Sequence, residues 1–108
     1  MSVTKSVVNM STRQSAHILL TGDLVRETLP DWVEHRALKL GLSGWVKWNT
    51  IGQLEIMVSG PEDLVDALEI ACSLGPFDSQ IKETLRKEVG NHSPSRVNSI
   101  FQNLCSDA

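Results

Sequence analysis

The chain has 108 residues, of which 41% are apolar and 21% charged, with a formal net charge of −3. That length supports one domain with a core of its own, and the composition is that of an ordinary globular protein rather than a disordered or fibrous one. The acidic balance argues against a nucleic-acid binder, and the longest apolar run falls far short of the roughly 20 residues that a spanning helix needs.

Residues 1–14 are polar, with one lysine and one arginine and no apolar stretch like that of a signal peptide, so they read as a flexible N-terminal segment and the expected location is cytoplasmic. An apolar run over 16–21, ending at Gly22, reads as the first strand. A helix follows. Thr28 and Asp31 have the spacing of a capping box, Pro30 is tolerated in a first turn, and Gly41 stops the helix after Leu40. Val33, Ala37 and Leu40 fall at i, i+4 and i+7, so they are expected to face the sheet.

Residues 44–49 and 53–59 read as a second and third strand, joined as a hairpin by Asn49-Thr50-Ile51-Gly52. The alternation of Leu54, Ile56 and Val58 marks the buried face of the third. A second helix opens at Gly60-Pro61 with Glu62 and Asp63 at its positive end, and Leu64, Val65, Leu68, Ala71 and Cys72 form its buried stripe. After Gly75-Pro76, residues 81–88 complete the sheet as a strand, although Lys82, Glu83, Arg86 and Lys87 leave a helix open there too. At the C-terminus, Val97, Ile100, Phe101 and Leu104 have the spacing of an extra amphipathic helix, packed on its own domain or presented to a partner.

The expected fold is therefore α+β, a ferredoxin-like α/β sandwich of order βαββαβ with two helices on one face of an antiparallel sheet, plus the C-terminal helix. The expected organisation is a segment 1–14, a domain 15–89 and a tail 90–108. Cys72 and Cys105 lie in apolar patterns without a close CxxC pair and are expected as plain thiols. His17, His35 and His92 share no ligand spacing with them, so no metal or cofactor is expected.

Within that frame, Gly22 is followed in ungapped register by Ala37, Leu40, Gly41, Leu42, Gly44, Trp45 and Val46, and then by Gly52, Glu55, Gly60, Pro61, Glu62, Gly75 and Pro76. From about residue 18 to 81 the chain thereby resembles the acylphosphatase family. The resemblance implies the ferredoxin-like fold and a site for acyl-phosphate hydrolysis, in which an arginine grips the phosphoryl oxygens and an asparagine orients the attacking water. In the same register Pro30 stands at the arginine and Trp48 at the asparagine, so neither catalytic group is expected. Nearby substitutes are Arg26 and Asn49, although one step along a strand turns Asn49 to the opposite face.

The loop Leu24, Val25, Arg26, Glu27 and Thr28 lacks the glycines that shape an amide nest. Asp23, Glu27, Asp31 and Glu34 against Arg26 give residues 23–34 a net charge of −3. This loop is the expected ligand loop. The sequence reading is a binding or interaction module without hydrolase activity, its partner a protein or a small molecule rather than nucleic acid or membrane. Self-association through a sheet edge or the C-terminal helix is part of that expectation. The alternative is an acylphosphatase that hydrolyses acyl phosphates through Arg26 and Asn49. Trp45 is expected to pack, and Trp32 and Trp48 to pack or to line a small pocket beside the loop.

Overall fold

The structure, a computed structural model, describes residues 13–76, 78–90 and 101–105. Period-two burial sets the sheet. In β1 (Arg13–Asp23) Ala16, Ile18 and Leu20 are fully buried, and in β3 (Leu54–Pro61) so are Leu54, Ile56 and Val58. The two strands run antiparallel with Ile18 opposite Ile56, which places both apolar sets on one face. β2 (Ser43–Trp48) pairs antiparallel with β3, and β4 (Gln80–Gly90) pairs antiparallel with β1. The spatial order β4-β1-β3-β2 is the ferredoxin-like one.

The two helices cover the apolar face. α1 (Leu29–Lys39) contributes Leu29, Val33 and Ala37 to the core, and α2 (Glu62–Leu74) contributes Val65, Leu68 and Cys72. Leu40, Leu64 and Ala71, expected in the buried stripes, are only partly covered. Gly41 closes α1 at φ +71, a conformation that glycine adopts without a Cβ penalty.

The segment 81–88 is the expected strand, not a helix, and its exposed Lys82, Glu83 and Lys87 mark a solvated edge. Three sequence expectations change. β1 begins at Arg13, so residues 13 and 14 belong to the sheet and not to an N-terminal segment. The capping box does not form: Thr28 is the N-cap residue but its side chain makes no capping bond. The C-terminal helix is not present at 101–103, where the chain forms β5 (Phe101–Asn103), parallel to β2. Its expected members Val97 and Ile100 lie outside the described residues. The reason is the open edge of β2. Its unpaired backbone groups accept a strand, as where Leu104 N–H donates to Val46 O at 2.9 Å, while Phe101 sinks to 2% exposure and Leu104 stays 52% exposed.

Candidate functional site

The loop between β1 and α1 begins from a tight crossing. Gly22 has φ +148 just after a β-bulge, and a Cβ there would collide with the Gln80 carbonyl, so only glycine lets β1 and β4 approach this closely. From there three amides of the loop and the first helical turn find partners within the fold. Val25 N–H donates to the buried Ser79 Oγ at 3.0 Å, and the N–H groups of Thr28 and Leu29 both donate to Val25 O, at 3.3 and 3.0 Å. Three of the amides that a loop of this kind could offer an anion are thus already taken.

The side chains at the start of α1 are committed as well. Thr28 sits at φ −116 and ψ −28, helical rather than extended geometry, and its Oγ1 donates to Asp78 Oδ2 at 3.1 Å instead of closing a cap. Asp31 accepts from Asn103 Nδ2 at 2.9 Å, tying α1 to β5. Pro30 occupies the first turn and is buried, presenting neither charge nor donor.

Trp48 ends β2 on the helix-covered face, half-buried against the core. The Arg26 guanidinium stacks over its ring, 4.5 Å from the centroid, a contact worth about 0.5–1 kcal/mol at an exposed site. The structure therefore brings together Arg26 and Trp48. Asn49 is employed elsewhere. Its Oδ1 accepts from Ile51 N–H at 3.0 Å and Gln53 N–H at 2.9 Å, and its Nδ2 donates to Gln53 Oε1 at 2.9 Å. Both lone pairs of that carbonyl are used in holding the hairpin turn, which leaves no acceptor for a water proton. Ser79 and Asp78, which fix the loop, carried no sequence signal, being two polar residues in a turn some 50 positions away.

Trp32 faces a groove between the helices, bordered by His35, Arg36, Lys39, Leu40, Ala67 and Ala71, and Trp48 is not part of that lining. Trp45 lies on the opposite face of the sheet from Trp48, with Lys47 Nζ 5.1 Å from its ring.

Among the other titratable groups, burial pushes the Cys72 thiol up to about 12. Arg86 is largely desolvated, which disfavours its charge, but hydrogen bonds to Asp66 at 2.7 Å and Glu69 at 2.6 Å with nearby Glu88 more than offset this and raise its pKa. Arg86 Nε lies 3.1 Å from Glu88 Oε2, close enough for an ion pair but not aligned as a hydrogen bond. No cluster of three or more His, Cys, Asp or Glu suited to a metal occurs among the described residues. Within those residues no helix is long and apolar enough to cross a membrane.

The strand order and the two helices on one face place the molecule with the ferredoxin-like α/β sandwiches. Among solved structures it is similar to an acylphosphatase from Coxiella burnetii, with TM-score 0.76 and 22% identity over 86% of this chain and 94% of that one. An acylphosphatase from Bacillus subtilis superposes with TM-score 0.75 and 23% identity, covering 84% of this chain and 98% of the other. The acylphosphatase family model matches residues 16–100, and the chain belongs to the acylphosphatase family. It is 33% identical over 70 residues to an acylphosphatase of Koribacter versatilis and 38% identical over 60 residues to one of Acidiphilium cryptum. These matches cover 65% and 56% of this chain, and they span 64% and 66% of those relatives' own lengths.

Proposed function

We propose that this acylphosphatase-family domain acts as a binding module and does not hydrolyse acyl phosphates. The observation that carries this reading is the inward commitment of the loop amides of Val25, Thr28 and Leu29, in a loop whose family arginine position holds the buried Pro30. Stabilising a phosphoryl group in transfer takes preorganised donors and positive charge aimed at its oxygens. Here the amides of Val25, Thr28 and Leu29 are spent, and Asp78 adds a carboxylate to a segment that already carries Asp23, Glu27 and Asp31. Cys72 and Cys105 are not joined in a disulfide, which is consistent with a reducing, cytoplasmic setting.

A second reading has one observation in its favour besides family membership: Arg26 is held over Trp48, at the mouth of the loop, where a guanidinium could meet a phosphoryl oxygen. The two readings part on benzoyl phosphate. The purified protein is expected to leave its hydrolysis at the buffer rate; acceleration that vanishes in Arg26→Ala establishes the second reading instead. In a Pro30→Arg, Trp48→Asn variant, inorganic phosphate is expected to bind at the loop, seen as amide shifts over residues 23–30 in an NMR titration. The same shifts already present in the wild type would contradict the charge argument.

A further inference from the structure

α2 carries two apolar stripes, and the core uses only one. Val65, Leu68 and Cys72 are buried against the sheet, whereas Ala67, Ile70, Ala71 and Leu74, again at i, i+3, i+4 and i+7, face outward. Ile70 is 61% and Leu74 76% exposed. Against α1 this outer stripe forms a continuous groove of two overlapping hollows, of about 360 and 430 Å³, that share Trp32, Arg36, Ala67 and Ala71. Ala67 to Leu74 spans about 10 Å, two turns of helix, and the small residues at its floor admit a neighbouring backbone.

The α1 wall of the groove has one sign of charge. Arg36 and Lys39 are exposed along it, and the ion pairs among the described residues all run through His17 or Arg86, so neither cation has a carboxylate partner there. Arg36 is also stacked on Trp32, 4.9 Å from the ring centroid, which fixes its guanidinium at the groove edge. A cationic edge on a chain of net charge −3 is a local inversion that favours an acidic partner.

We propose that the α1–α2 groove docks an amphipathic helix of another protein, with apolar residues at helical spacing on its inner face and carboxylates along the flank that meets Arg36 and Lys39. A recess between two helices suits a helix better than a flat lipid surface. The proposal deepens the binding-module reading by naming its surface and partner. It shares no residue with the 24–28 loop, so the benzoyl phosphate assay and the docking test can fail separately.

The test is an NMR titration of the full chain with a 15-residue helical peptide bearing four leucines at i, i+3, i+4 and i+7 and glutamates on one flank, beside the same peptide with lysines. The acidic peptide is expected to shift amides of α1 and α2 and to bind about tenfold tighter than the basic one. Arg36→Glu with Lys39→Glu should reverse that preference, and Leu74→Ser should weaken both peptides; all three positions are exposed, and circular dichroism checks that the variants fold. Absence of shifts with the acidic peptide overturns the proposal, as does equal binding of both peptides. Two further outcomes also overturn it: a dimer of the chain in sedimentation that Leu74→Ser dissociates, and Arg36-dependent binding to phosphatidylserine vesicles without peptide binding.

Discussion

Cys72 lies on the inner face of α2 with no solvent exposure. Burial raises its thiol to about 12 from an ordinary 9.0, the Arg36 charge pulling the other way and Glu69 adding a little. Nucleophilic thiolate is thus scarce in the folded state, so iodoacetamide at pH 8 should modify Cys105 well before Cys72, with Cys72 reacting only on unfolding. A pH dependence follows with a definite sign. Because the folded pKa exceeds the unfolded one, the stability this thiol contributes is complete below about pH 9 and is lost as pH rises from there toward 12. Chemical denaturation of wild type and Cys72→Val between pH 8 and 11 should show a steeper alkaline loss in wild type, by up to about 1.4 kcal/mol per pH unit. Equal slopes would show that the thiol ionises freely.

At the scale of elements, β5 makes the clearest claim. Phe101 is inserted beside β2 with almost no exposure, so Phe101→Ala should cost about 3–5 kcal/mol in denaturant unfolding, whereas a helix end lying on the surface would lose far less. The sequence pattern misled here because apolar residues at 97, 100, 101 and 104 satisfy a helix, while the need that decided the outcome, an unpaired β2 edge, belongs to a strand some 55 residues earlier. The βαββαβ order was legible where local signals agreed with packing, as in Leu54, Ile56 and Val58 on β3 or Gly41 after α1. At the loop, the expectation that Pro30 and Trp48 stand at the family's catalytic positions rests on register alone. The partners of Val25, Thr28 and Asp31 could not be read that way, since Ser79, Asp78 and Asn103 reach them across the fold. Asn49 lies between these cases. Its turn was evident, whereas the consequence, a carboxamide with no acceptor to spare, depends on the bonds that Ile51 and Gln53 donate to it.

At the scale of the molecule, two strands of the sheet are edges and they are secured differently. One side ends in β5, whose Asn103 is tied to α1 through Asp31; the other ends in β4, whose outer flank pairs with nothing among the described strands. What anchors β4 to the rest is Arg86. From that strand it reaches Asp66 and Glu69 on α2 and Gln14 Oε1 on β1 at 3.1 Å, so one side chain joins a strand, its neighbour and the helix above them. Its own side chain is 15% exposed while Asp66 is 48% exposed, so solvent screens part of the attraction and the pairs count for less than fully buried ones. Arg86→Met keeps much of the aliphatic packing and removes the charge, and it should lower unfolding stability by about 1–3 kcal/mol. The loss should be uneven. Amide exchange in β4 should quicken more than in β3, because an edge strand released from the helix layer can open without the central strands. Uniform acceleration across the sheet would mean that Arg86 supports global stability only, and unchanged exchange would mean that backbone pairing with β1 is enough to hold the edge.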